Sequence, residues 1–226
     1  MTVWRCLLLA GLLLSCSRNN VEQIEVVVPK NVSVPPDMVY IPAGEFIMGE
    51  EQKKIHTSAY LIDRYEATEK QFRAQNPAHP FFAGKDKWPV THVTFAEAEK
   101  YCKQAGKRLP TETEWEKAAR GTDGRKWPWG AYLDHPNNGF SGFTPEDVDK
   151  RPEWISPYGV YGMGHNVWEW IDDWYSDKPE KQFKVIRGGL TQTHLTIHFS
   201  PAYFRNWMNP DAAHNFLGFR CAKNAG

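Results

Sequence analysis

Residues 89–121, PVTHVTFAEAEKYCKQAGKRLPTETEWEKAARG, carry the same helix grammar twice. Thr94 and Glu97 stand three apart ahead of FAEAEKYCKQA, so hydroxyl and carboxylate can satisfy two amides of the first turn reciprocally. Gly106 supplies the backbone freedom that stops this helix. Thr111 and Glu114 repeat the box, and Gly121 ends the second helix. On the first, Phe95, Ala98, Tyr101, Cys102 and Ala105 share one face, which predicts that Cys102 points inward; the second is expected to bury Trp115, Ala118 and Ala119.

Outward from this pair the pattern is one of short strands. MVYIPAGEFIMGE (38–50) divides into two at Pro-Ala-Gly, and AYLIDRYEAT (59–68) reads as another. Further strands are expected at NVWEWIDDWY (166–175), FKVIRGG (183–189), AYFRN (202–206) and LGFRCAK (217–223). Between Gly121 and the first of these, residues 122–158 mix Pro, Gly, Asn and Asp with Trp and Phe, a long irregular stretch of the kind that is functional or supported by a metal. The pair of glycines in RGGLTQTHLTIH (187–198) marks a strand end where the backbone must approach something closely, either a ligand or a packed group.

The first residues, MTVWRCLLLAGLLLSC, have one Arg and then an apolar run over 6–14 that is too short to span a bilayer as a permanent helix. It reads as an export signal over 1–15 whose Leu-Leu-Ser-Cys end resembles a bacterial lipobox, with Cys16 as the lipidated residue. Residues 16–36 are polar and Pro-containing, as suits a lipid-anchored tether, although IEVVV (24–28) could add an edge strand. The folded domain is expected over 37–226, and the expected location is the bacterial cell envelope, periplasmic or surface-exposed, with the membrane reached through lipid on Cys16. Removing Cys6 with the signal and Cys16 with the lipid leaves Cys102 and Cys221 as the domain's thiols in an oxidising compartment, which predicts one disulfide.

Lys+Arg and Asp+Glu both number 27, and no basic run exists, so nucleic acid is excluded as an expected partner. Ten Trp, twelve Phe and nine Tyr point instead to a core or clefts built from amphipathic rings.

The segments 38–50, 89–121, YGVYGMGHNVWEWIDDWY (158–175), VIRGG (185–189) and FLGFRCAK (216–223), in that order, resemble the formylglycine-generating enzyme family, also called the sulfatase-modifying factor family. The resemblance implies an α+β fold of the irregular C-type-lectin-like kind with little regular secondary structure, and it agrees with pairing of Cys102 to Cys221. In the catalytic members it implies a cysteine oxidase that uses O2 and a copper(I) ion held by two cysteines beyond the Gly-Gly. The matching positions here are Thr193 and His198, and Leu190 stands where a serine usually follows the glycines. Copper(I) is soft and prefers thiolates, so the ligands that define that chemistry are missing and no catalytic residue is assigned.

Three further expectations attach to the site. His194 and His198 could hold copper or iron in place of the cysteines, with Asp211 and His214 as candidate third ligands; in an extended LTIHF, however, four residues span roughly 13 Å, which favours separate, surface or hydrogen-bonded histidines. The resemblance also implies calcium around residues 161–170 with Glu169 as a ligand, but Gly162 replaces a common oxygen donor, and a buried strand with Glu169 bonded to backbone amides is the plainer reading. Leu190, His194, Arg205, Asn206 and Trp207 are the expected binding groove, together with rings among Trp127, Trp129, Trp154, Tyr158, Trp174 and Tyr203, while Phe216 marks another lost polar side chain and Arg220 a structural arginine. Asp172 and Asp173, being adjacent on a strand, face opposite ways and form no acid–base pair. The expected function is therefore a lipid-anchored, formylglycine-generating-enzyme-like protein that binds an envelope protein, peptide or glycan without cysteine-oxidase activity, and the alternative is a metal-dependent oxidase acting on an exported protein.

Overall fold

A computed structural model describes residues 23–80, 82–130, 144–177, 182–193, 196–199 and 201–226, those of 190–193 and 196–199 as backbone. The chain signal, Cys16, the first part of the tether, His194, and the side chains of Leu190, Thr193 and His198 lie outside the described residues.

In chain order the strands are β1 (Met38–Ile41), β2 (Gly44–Met48), β3 (Lys53–Thr57), β4 (Tyr60–Asp63), β5 (Trp168–Trp174), β6 (Lys184–Arg187), β7 (Leu190–Thr193), β8 (Thr196–Phe199), β9 (Asn206–Met208), β10 (Leu217–Gly218) and β11 (Ala222–Asn224). Among the described residues, three helices, α1 (Glu69–Gln75), α2 (Phe95–Gln104) and α3 (Glu112–Arg120), precede β5, and a 3-10 turn covers Pro152–Trp154. The strands form a sheet β1-β4-β11, a sheet β10-β5-β6-β9, and the hairpins β2-β3 and β7-β8. Every pairing is antiparallel except β10 with β5. Short strands in small sheets with long irregular connections are the architecture expected from the sequence.

Both tandem helices start where their caps place them: Thr94 and Thr111 each accept from the amide three residues on, and Glu97 and Glu114 reach back to the cap. A third box, Thr68 with Gln71, starts α1, which the strand-like run before it conceals in the sequence. Ala98 and Cys102 are buried on α2 as its period requires, whereas Ala105 is exposed, a correction that follows from its place as the C-cap beyond the helix's packed face. The expected strand at 202–206 is also corrected: the chain turns at 201–204 and pairs only from Asn206, in β9.

Residues 24–28 form no strand, but neither do they leave the body. The Ile24 amide donates to the Pro157 carbonyl (2.8 Å), and Ile24, Val26, Val32 and Val34 pack on buried clusters. Residues read as tether thus pack on the domain from 23 onward.

Two cores sit on either side of the mixed sheet. One gathers Ile41, Tyr60, Ile62, Trp115, Val160 and Ile171; the other gathers Phe72, Val93, Cys102, Trp170, Leu217 and Phe219. Cys102 of α2 is bonded to Cys221 just before β11, as expected, across a sequence separation of 119. Lys117 pins α3 to the first hairpin, donating to the carbonyls of Pro42 (2.7 Å) and Gly44 (2.9 Å) and to Thr57 Oγ1 (2.9 Å); burial pushes its ammonium down to about 8.

Closing so long a loop restricts the unfolded chain by about 4 to 5 kcal/mol on the chain-entropy estimate. The Cys102→Ala/Cys221→Ala pair is expected to lower unfolding free energy by up to that amount in urea titrations, and the reduced wild type to match it. A double variant as stable as the oxidised wild type would contradict this.

Candidate functional site

The glycines after β6 decide what the strand end approaches. Gly188 has φ +86°, and a Cβ there would lie 2.6 Å from Trp115 Cζ2; at Gly189 it would lie 2.3 Å from Trp168 Cδ1. No L side chain fits either place, so both glycines exist to let two core indoles pack against the backbone. The close approach is to aromatic side chains rather than to a ligand.

Beneath this turn lies a buried ion network that sequence reasoning missed. Arg187, with no exposed surface, donates to Glu112 Oε1 (2.7 Å), Glu116 Oε2 (2.5 Å) and the Ala202 carbonyl (2.7 Å). Glu112 and Glu116 are one turn apart on α3, so their carboxylates face the same way and straddle one guanidinium. Glu116 also accepts from Arg120 and from the Gly49 amide (2.6 Å), and Arg120 continues to the carbonyls of Gly124 (2.5 Å) and Arg125 (2.6 Å). Glu112 also accepts from Arg205 Nε (2.6 Å), while its own amide is held by Asp173 (2.6 Å). Asp172 instead pairs with Lys184 (3.1 Å), so the two neighbouring carboxylates serve different partners, as expected of adjacent strand positions.

A second buried pair holds β5 to the C-terminal segment. Arg220 donates from Nε and Nη2 to both oxygens of Glu169 (each 2.7 Å), and to the carbonyls of Tyr161 (2.7 Å) and Asp63 (3.2 Å); Trp115 Nε1 donates to Glu169 as well (2.9 Å). Arg220 is structural, as expected. The partners of Glu169 are a guanidinium and an indole, which corrects the expectation of backbone amides. At Gly162, φ +76°, a Cβ would sit 2.4 Å from Glu66 Oε1, so this carboxylate fills the space of the missing donor. Glu66 accepts from Asn166 Nδ2 (3.0 Å), lies 3.9 Å from Arg220, and is pushed by burial up to about 7. A donor set organised on a buried guanidinium neutralises Glu169 already, and a calcium ion would meet that positive charge; the residues fit Arg220 better than a dication.

Where the resemblance puts the copper ligands, the backbone forms the hairpin β7-β8, in which Thr193 opposes Thr196 and Thr191 opposes His198. Thr193 and His198 are thus not opposite each other. Among the described residues no group of three His, Cys, Asp or Glu is placed to hold a metal. His214 stacks on Phe216 (4.9 Å), and Asp211 lies in a turn capped by Asn209.

The aromatic groove expected from the sequence separates into distinct clusters. Trp129 and Trp154 (5.4 Å) meet His165 at one place, with Arg151 over Trp154, and Tyr158 belongs to the core. Elsewhere Trp207 packs on Phe183 (4.4 Å), and the Arg205 guanidinium lies over Tyr175 (5.0 Å). Phe204 and Trp207, flanking Arg205 in sequence, are 41 and 45% exposed, apolar surface that the core does not use; Trp174, 50% exposed, lies instead on the face of Lys184, whose ammonium sits over its ring (4.2 Å). The Asn206 carboxamide accepts from the Trp207 amide (2.9 Å), which blunts this edge of the sheet. Beside Arg205, the turn between β2 and β3 and residues 203–205 enclose a groove of about 450 Å³, lined by Met48, Glu50, Ile55, Tyr203, Phe204 and Arg205.

Fold and site together define a compact lectin-like scaffold whose strand end after β6 is closed by indoles and ion pairs. The sulfatase-modifying factor enzyme 1-like domain family matches residues 23–225, and the chain belongs to that family. An inactive Cα-formylglycine-generating enzyme 2 of Bos taurus is 36% identical over 173 residues, 67% of this chain and 56% of the relative. The formylglycine-generating enzyme of Streptomyces coelicolor is 32% identical over 186 residues, 68% of this chain and 58% of the relative. The chain therefore spans just over half the length of these curated relatives. Among solved structures, Treponema denticola variable protein 1 superposes with a TM-score of 0.67 at 22% identity, covering 83% of this chain and 94% of that one, and supports the C-type-lectin-like fold.

Removing one partner of the buried network leaves the other charge uncompensated. Arg187→Met is expected to destabilise the fold by about 3 to 5 kcal/mol, far more than Arg205→Met at the half-exposed end of the same network; equal losses in denaturant titrations would contradict the assignment. Glu66 has a folded pKa above its ordinary 4.5, so the stability it contributes is complete below that pH and is lost as pH rises through about 7. Glu66→Gln keeps the neutral form at every pH. Its stability is expected to match wild type near pH 4.5 and exceed it at pH 8, and an unchanged difference between the two pH values would reject the shift.

Proposed function

We propose that this protein is a diverged member of its family that has kept the scaffold and given up thiolate-copper chemistry, and that it binds an envelope protein or glycan while anchored by lipid on Cys16. One observation carries the reading: Cys102 and Cys221 are bonded to each other, and the residues at the positions the resemblance assigns to copper are Thr193 and His198. A disulfide offers no thiolate, and threonine is a poor ligand for copper(I). The groove next to Arg205 and the exposed rings of Trp174, Phe204 and Trp207 support a binding role. The apolar run ending in Leu-Leu-Ser-Cys supports the anchor.

Supplied with copper(I), oxygen and a cysteine-bearing sulfatase peptide, the purified chain is expected to leave the thiol unchanged by mass spectrometry. Formylglycine formation, or stoichiometric copper or iron that vanishes in His194→Ala or His198→Ala, would replace this reading with a rebuilt oxidase. Cells fed labelled palmitate are expected to label the wild type and not Cys16→Ser; equal labelling of both would remove the anchor.

A further inference from the structure

Arg205 differs from an ordinary surface arginine. Its Nε is fixed to Glu112 (2.6 Å), a carboxylate that is itself held by buried Arg187, and its guanidinium lies over the Tyr175 ring (5.0 Å). Both Nη atoms are without a hydrogen bond among the described residues, on a side chain that is 43% exposed and lines the groove. The rotameric freedom that weakens most exposed ion pairs is thus already removed, and the open end of the fork presents paired N–H donors. Planar carboxylates match that geometry with two parallel bonds.

The rest of the groove narrows the ligand. Met48, Ile55 and Phe204 give an apolar wall that suits an apolar side chain. On the rim, Glu51 is paired with Lys53 (2.6 Å), whereas Glu50 has no ion pair among the described residues. An extra rim carboxylate repels sulfated or phosphorylated polyanions and tolerates a single negative charge facing Arg205.

We infer that this groove captures a peptide carboxylate flanked by a large apolar side chain, with Arg205 as the anion anchor and Phe204, Met48 and Ile55 as the apolar wall. The inference rests on the binding reading above and specifies its ligand.

The test titrates the full chain in nanodiscs with acetyl-Gly-Leu-Phe as the free acid and as the amide, followed by NMR shifts. The free acid is expected to bind, and the amide to bind about tenfold or more weakly, the loss of one charge-assisted pair. Arg205→Ala should erase the preference for the acid. Because Arg205 also touches Glu112, Phe204→Glu serves as a second variant: it changes an exposed side chain outside the ion network and should weaken the acid by a similar factor. Equal binding of acid and amide, no binding of either, or an acid preference that survives Arg205→Ala would overturn the inference. Arg205-dependent binding of a glucuronic acid oligosaccharide, with no response to the peptide, would also overturn it while leaving the broader binding role standing.

Discussion

Arg187 between Glu112 and Glu116 is the contact on which the architecture around the site depends. Its guanidinium has no exposed surface, so its charge exists only because two carboxylates from one turn of α3 neutralise it. Desolvating three charges is expensive, and such a cluster adds little net stability over an apolar one of the same shape. What it provides is register. The same two carboxylates receive Arg120, the Gly49 amide and Arg205, which fixes the first hairpin, the helix and the approach to β9 relative to β6. The groove next to Arg205 is the outer margin of this network.

On the proposed reading, the scaffold is kept while the family's copper chemistry is given up, and the packing shows which residues hold the scaffold. Gly188 and Gly189 are required by Trp115 and Trp168, and Glu169 by Arg220, all within the body of the domain. The resemblance puts the copper ligands of catalytic members instead at positions 193 and 198, on the hairpin β7-β8, whose two strands pair with each other.

The sequence discloses the parts of this account that rest on local rules. Capping boxes at Thr94 and Thr111 place two helices, periodicity turns Cys102 inward, and the missing cysteines are visible at once. A third box at Thr68 was equally available, but it directly follows a strand-like run that masks it. What stays hidden depends on partners distant in sequence. Glu112 and Glu116 look like a solvated helix face until Arg187, 75 and 71 residues away, is brought beneath them. Glu66 gives no sign of burial until Gly162 leaves room for it. Likewise the groove forms only where the β2-β3 turn meets residues 203–205, and the aromatic residues that seemed to make one cleft are divided by the core.

The central claim is that the frame of the copper site survives and only its ligands are gone. Its most direct measurement is copper(I) stoichiometry, by competition with a chromophoric chelator, on the wild type and on Thr193→Cys/His198→Cys with the Cys102–Cys221 disulfide intact. The account predicts no bound copper(I) in the wild type and one equivalent in the double variant. Tight copper(I) binding by the wild type would contradict the loss of the centre, and failure of the double variant to bind would contradict the survival of its frame.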